Sequence, residues 1–178
     1  AYFVGFGSFK RIVVYDNLIK SHTPEETAVI LAHEAGHWLH NDMTKGIFFG
    51  IIGVFISLLI LKWIYPVFQR ELNLKELYDP ANIPFLSFAL TLFMFFASPV
   101  ENTISRMEEA DADYESLLLS DDPKNFIASE IRLSKDNKSY LTPHPFSYFW
   151  YGSHPPVLER IKMGENFKNA RLTNEKIR

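Results

Sequence analysis

Two blocks of this chain stay apolar for longer than a helix in a globular core requires. GIFFGIIGVFISLLILKWIYPVF, Gly46 to Phe68, is broken only by Lys62, and IPFLSFALTLFMFFASPV, Ile83 to Val100, carries no charge. A helix rises about 1.5 Å per residue, so roughly 20 residues cross the approximately 30 Å hydrocarbon layer of a bilayer. The first block meets that length; the second only just reaches it. Lys62 can snorkel to the surface from near the block's end, and Trp63 and Tyr65 suit an interface. The alternative is a pair of buried helices in a soluble protein, and the length of the blocks favours the membrane. The connection QRELNLKELYDPAN is short and of mixed charge, which predicts a hairpin with both outer flanks on one side. Lys10, Arg11, Lys20 and Lys45 before it and Arg106 after it favour the cytoplasmic side for those flanks.

Around this hairpin the pattern changes. YFVGFG and RIVVYD are β-prone runs joined by Ser8, Phe9 and Lys10, which predicts a hairpin. Thr23-Pro24-Glu25-Glu26 is a helix start, with Thr23 as the cap, Pro24 in the first turn and Glu26 completing a capping box. That helix is expected to run to about His40, with Asn41 and Asp42 marking its end or a bend. After the second apolar block, ENTISRMEEADADYESLLLS has helical character until SDDP stops it. From Asp121 onward the chain is expected to be polar and loop-like with short helices. The fold class that follows is mainly α with a small β-hairpin, interrupted by a two-helix membrane hairpin. No internal repeat is evident.

Length and charge narrow the classes. A chain of 178 residues suffices for one domain with a core. A net charge of -3 with scattered basic residues argues against nucleic acid as a partner. No cysteine is present, so any metal must be held by histidines and carboxylates. The chain begins within strand-like sequence, without an initiating Met or a signal peptide, and so reads as the C-terminal part of something longer.

The chemistry begins in AVILAHEAGHWLH. His33 and His37 stand at i and i+4, so both rings can aim a nitrogen at one point about 2.0 to 2.1 Å away. Glu34 can reach a metal-activated water without being a ligand, the arrangement of H-E-x-x-H metalloproteases. The alternative is a polar helix edge with two satisfied histidines. A catalytic zinc site normally has three protein ligands and an open fourth position. NTISRMEEADAD offers Asn102, Ser105 or Arg106, Glu109 and Asp113 along one helical face. Glu109 is the candidate third ligand, and Asp113, one turn on, can accept the free ring N–H of a ligating histidine. Glu101, Glu108, Asp111 and Glu115 read as a solvated acidic face. One Zn²⁺ per chain is the expected cofactor.

LAHEAGHW, NTISRMEEADAD and SHPPVLER, in this order and with a membrane hairpin between the first two, resemble the integral-membrane CAAX prenyl proteases and their prokaryotic relatives. The resemblance covers nearly the whole chain. The family pattern S-R-x-x-E-x-x-A-D falls on Ser105, Arg106, Glu109, Ala112 and Asp113, which implies Glu109 rather than Glu108 as ligand. The resemblance also implies a zincin-like catalytic domain, an edge strand at YFVGFG on which substrate pairs, and that His154 reaches the site. From its own chemistry His154 can donate to an oxyanion, or cap the helix that carries Leu158 and Ile161. Arg160 would then be a structural ion-pair residue, and His22, His40 and His144 surface or packing residues. The family's earlier membrane helices are not in this chain, so they are expected as the missing N-terminal partners of its site. Gly46 and Gly50 form a small-x-x-x-small pattern suited to packing against them.

The expected organisation is one catalytic domain over residues 1–178. Residues 1–43 carry the strands and the H-E-x-x-H helix, 44–104 the transmembrane hairpin, and 105–178 the third-ligand helix and C-terminal segment. The expected function is a multi-pass membrane zinc endopeptidase. It would remove the C-terminal tripeptide of prenylated proteins at the cytoplasmic face of the endoplasmic reticulum or of a prokaryotic plasma membrane. Two alternatives are membrane-protein quality control by a prokaryotic relative, and a non-enzymatic zinc-binding scaffold, which Glu34 argues against.

Overall fold

The computed structural model describes residues 1–6 and 9–177. β1 (Tyr2–Phe6) pairs antiparallel with β2 (Phe9–Val13) in a two-stranded sheet with Tyr2 opposite Val13. Phe9 and Lys10 belong to β2 rather than to the connection, because the aromatic and β-branched run extends the ladder to the Phe6–Phe9 pair. Of the expected turn, Ser8 lies outside the described residues. α1 (Asp16–Ser21) follows, and then α2 (Pro24–Leu39), whose capping box forms as its sequence dictates: the Thr23 hydroxyl accepts from Glu26 N at 3.2 Å and the Glu26 carboxylate from Thr23 N at 3.0 Å. α2 ends at an elbow where Asn41 adopts φ 56°, a left-handed conformation that asparagine tolerates better than most residues with a side chain. α3 (Asp42–Leu72) begins immediately after it.

The chain divides into two compact units, residues Met43–Glu101 and the remainder. The first holds most of α3, a 3-10 turn at Pro80–Asn82 and the apolar start of α4 (Ile83–Ser120). Its connection is pinned: the Tyr65 hydroxyl donates to Lys75 O at 2.7 Å, the Asn82 amide donates to the same carbonyl at 3.2 Å, and Tyr65 and Phe68 both lie against Phe85. α3 and α4 are each long and apolar enough to cross a membrane, and no residue in the apolar window of α3 is buried within the protein. A core helix of a soluble protein would be mostly covered.

The other unit joins β1, β2, α1 and α2 to the second half of α4, α5 (Pro123–Asp136), α6 (Pro145–Tyr151) and α7 (Val157–Ile177). The expectation of a loop-like segment after Asp121 is therefore corrected. Asp122 caps α5 by accepting from Asn125 N at 3.0 Å, and the buried positions Phe126, Ser129 and Glu130 recur at helical spacing. α7 follows the Pro155-Pro156 pair. Polarity along these stretches marks amphipathic helices rather than loops. The core gathers Val29, Leu117 and Phe126, with Ile127, Met163 and Phe167 packed on it, so α2, α4, α5 and α7 each contribute. The solvated acidic face is also corrected. Glu101 and Asp111 are exposed, but Glu108 and Glu115 are partly buried, and Glu115 pairs with His40 at 3.7 Å.

α2 and the second half of α4 approach closely at Gly36. A Cβ built there would meet Ala112 Cα at 3.0 Å and its carbonyl oxygen at 3.1 Å, both backbone atoms with little freedom to move. Gly36→Ala is expected to destabilise the protein by about 1–3 kcal/mol through overpacking, against a helix-propensity gain of about 1 kcal/mol. Thermal unfolding checks this, and an unchanged or raised Tm would show that the contact has slack.

Candidate functional site

Contacts between α2 and α4 run in register. The Ser116 hydroxyl donates to Val29 O at 2.8 Å, His33 Nδ1 lies 2.9 Å from Asp113 Oδ1, and His37 Nε2 lies 3.6 Å from Glu109 Oε1. Each four-residue step up α2 is matched by a step of three or four back along α4, as two helices crossing in opposite directions require. Gly36 and Ala112 allow the approach that brings the polar residues together. At the centre, His33 Nε2 is 3.1 Å from His37 Nε2 and 3.4 Å from Glu109 Oε2. Ligand atoms placed about 2.0 to 2.1 Å from a tetrahedral centre stand about 3.3 Å apart. The three groups therefore form a triangle of the right size for a small divalent ion, and His33, His37 and Glu109 are a group able to hold one.

A carboxylate can only accept, so each Nδ1–H donates outward and turns its Nε2 toward Glu109. His33 donates to Asp113, and His37 donates to Asp42 Oδ2 at 3.0 Å. Asp42 was not legible in the sequence, because the left-handed turn at Asn41 places it beside His37 outside any helical spacing. Asp113 has no exposed surface, and the Arg160 guanidinium grips both of its oxygens through Nε and Nη2. The same guanidinium reaches Glu130 Oε2 at 2.7 Å. Arg160 is thus the ion-pair residue expected of it, whereas Glu130 was missed. The available signal was a charge on the apolar face of α5, among Phe126, Ser129 and Leu133.

Glu34, Glu109 and His154 line one cavity of about 700 Å³. The Glu34 carboxylate has no hydrogen bond or ion pair among the described residues, leaving it available to a substrate or water. His154 reaches Glu109 Oε1 at 3.4 Å through Nε2, with Nδ1 held 2.9 Å from Ser153 Oγ. It points into the cleft rather than capping α7. The segment that carries it is fastened to the upper part of the α4 polar face. Asn102 Nδ2 donates to Trp150 O at 2.6 Å, Ser105 Oγ to Ser153 O at 2.9 Å, and Arg106 Nη1 to Gly152 O at 2.5 Å. One stripe of α4 therefore does two jobs: Asn102, Ser105 and Arg106 hold the His154 segment, while Glu109 and Asp113 face α2. His22 is buried, and His144 caps α6 by accepting from Phe146 N at 3.3 Å.

Comparison with known proteins gives the family and the fold. The family model for peptidase family M48 matches residues 1–166. The chain belongs to peptidase family M48. It is 28% identical over 178 residues to the uncharacterized metalloprotease YhfN of Bacillus subtilis, covering 96% of this chain and 41% of that protein. It is 29% identical over 174 residues to the CAAX prenyl protease 1 homolog of Oryza sativa, covering 93% of this chain and 40% of that one. The crystal structure of S. mikatae Ste24p superposes with a TM-score of 0.75 at 25% identity, over 90% of this chain and 40% of that one. The chain thus spans about two fifths of the length of these relatives.

The charges around the triangle shift together. Burial alone would lower the pKa of His33, but its hydrogen bonds to Asp113 and Glu109 outweigh this and raise it to about 9 in the metal-free protein. Burial would likewise raise Glu109 and Asp113; hydrogen bonds from His33 to the first, and from Arg160 and His33 to the second, hold both below the usual carboxylate range. Glu130 is pushed up to about 7, chiefly by burial. For His33 the folded value lies above the unfolded one, so its protonation stabilises the metal-free fold fully below about pH 6.5, and that contribution is lost as pH rises through about 9. Asp113→Asn removes the principal partner of the charged ring. An NMR titration of the metal-free protein is expected to place the His33 midpoint near 9 and to move it down by a unit or more in Asp113→Asn. The same midpoint in both would refute the coupling.

Proposed function

We propose that this chain is the catalytic part of a membrane-associated zinc endopeptidase. Residues 1–43 and 105–178 carry the chemistry, and the apolar hairpin between them carries the attachment to the bilayer. The observation that supports this most is the convergence of two imidazoles and one carboxylate at ligand spacing, with a second, unengaged carboxylate on the same cavity. M48 peptidases are metal-dependent, and a set of two neutral nitrogens and one oxygen suits zinc. His33, His37 and Glu109 would hold the ion. When bound, it supplies Lewis-acid polarisation of the scissile carbonyl and of a water.

The rest of the reaction falls to side chains of this chain. Glu34 accepts the proton of the attacking water and returns it to the leaving amine. His154 donates to the oxygen that becomes negative as the carbonyl carbon turns tetrahedral. Asp113 and Asp42 hold the two rings in the tautomer that presents Nε2, and Arg160 keeps the buried Asp113 charged. β1 offers a strand edge for an extended peptide. Lys20 and Lys45 before the hairpin and Arg106 after it support a cytoplasmic active site.

Two substrate classes share this chemistry. The rice relative is named as a CAAX prenyl protease 1 homolog, which supports a prenylated C-terminal peptide as substrate. The Bacillus relative, of comparable similarity, is named only as an uncharacterized metalloprotease, and the second class is the membrane proteins that a prokaryotic quality-control protease would cut. Cleavage of a prenylated peptide but not of its unprenylated twin is expected under the first; equal cleavage of both would favour the second.

Glu34→Gln preserves shape but cannot take a proton. It is expected to retain zinc while turnover falls by about 10² to 10⁴. Glu109→Ala should lose zinc on dialysis, whereas Glu108→Ala, about 100° away around the helix, should keep it. Full turnover of Glu34→Gln, or equal zinc in both alanine variants, would overturn these assignments.

A further inference from the structure

Residues 140–151, YLTPHPFSYFWY, contain no Asp, Glu, Lys or Arg and are dense in aromatic side chains. α6 lies within this stretch and is two-faced. At 100° per residue, Phe146, Phe149 and Trp150 share about 100° of arc, and Phe146 and Trp150 stack with ring centroids 5.6 Å apart. Tyr148 and Tyr151 take the opposite side and line the catalytic cavity. The aromatic stripe is not part of that cavity, yet Phe146 is 60% and Phe149 51% exposed. Neither the core nor the reaction uses it.

We propose that this stripe seats α6 in the lipid interface of the membrane that holds the hairpin. The inference rests on the membrane reading above. Three observations argue for lipid. First, α6 and the residues after it are tied by Asn102, Ser105 and Arg106 to the turns of α4 that directly follow its apolar run in the chain. Secondly, the composition is that of an interfacial segment: Phe146 and Phe149 turn exposed rings outward, and the stretch carries no Asp, Glu, Lys or Arg. Thirdly, the flank of the other apolar helix is similar. Trp38 and Leu39, at the end of α2 just before α3 begins, are 45% and 53% exposed. Each apolar helix thus adjoins an exposed aromatic or aliphatic cluster where it gives way to polar sequence.

Seating α6 in this way positions the chemistry. His154 follows Trp150 by four residues in the same fastened segment, so the interface sets the height of the cleft mouth. A peptide emerging from or anchored in the bilayer then meets Glu34 and His154 without leaving the lipid surface.

The absence of cysteine makes the test direct, since each introduced thiol is the only one. Nitroxide labels are placed singly at Phe146→Cys, Phe149→Cys, Ile51→Cys in α3 and Glu165→Cys in α7, in the protein reconstituted into phosphatidylcholine and phosphatidylglycerol vesicles. Power saturation with oxygen and with a water-soluble nickel chelate reads depth. At Phe146 and Phe149 the ratio of oxygen to nickel accessibility is expected to lie between those at Ile51 and Glu165, several-fold above the aqueous value. A ratio equal to that at Glu165 would overturn the seating while leaving the membrane reading intact. Low accessibility to both reagents with an immobilised spectrum would overturn it in favour of a covering protein segment. An aqueous ratio at Ile51 itself would overturn the membrane reading and the seating together.

Discussion

The site depends on one buried carboxylate. Asp113 has no exposed surface, and a lone charge in such a place would cost several kcal/mol. It is tolerated because His33 and Arg160 satisfy it, and the arrangement makes Asp113 the point where α2, α4 and α7 meet, with α5 joined through Glu130. Removing one partner from such a cluster is far worse than never having built it. The geometry of the ligand ring is thus tied to the integrity of the helical core. The same interaction that orients His33 holds the helices in place.

The close approach of α2 and α4 follows from the smallest side chains at the crossing. Gly36 and Ala112 let the backbones come near enough for His33, His37, Asp113 and Glu109 to interleave. Above this crossing, Asn102, Ser105 and Arg106 spend their hydrogen bonds on carbonyls of the α6 turn, which carries His154 to the cleft. Below it, Ser116 satisfies a carbonyl of α2. One helical face fixes His33, His37, Glu109, Asp113 and His154 relative to one another, and the proposed chemistry requires such preorganisation.

Much of this was legible in the sequence because it rests on local periodicity. The i, i+4 histidines, the three-and-four spacing on α4, the Thr23 capping box and the two long apolar blocks all express helical geometry directly. The Asp113 role followed from its being one turn beyond Glu109. Asp42 and Glu130 were missed for a common reason: their partners are reached through a left-handed bend or across helices, and no local period records that. The stretch after Asp121 read as loop because amphipathic helices on a small core present mostly polar residues, and the apolar positions Phe126, Met163 and Phe167 are too sparse to declare themselves. Glu108 and Glu115 show the limit of the charge rule, since acidic residues flanking a helix–helix crossing are partly covered by it.

The central claim is that three side chains of this chain hold one metal and leave it an open position. His154 makes the claim vulnerable, since its Nε2 already stands 3.4 Å from Glu109 Oε1 and it could close the shell as a fourth ligand. Anomalous diffraction at the zinc edge from crystals of the zinc-loaded protein decides the matter. The account predicts one zinc about 2.0 to 2.1 Å from Nε2 of His33, Nε2 of His37 and a Glu109 oxygen, with no fourth protein atom at bonding distance. A zinc bonded to His154 as well, in a closed four-ligand shell, would make the site structural and contradict the account.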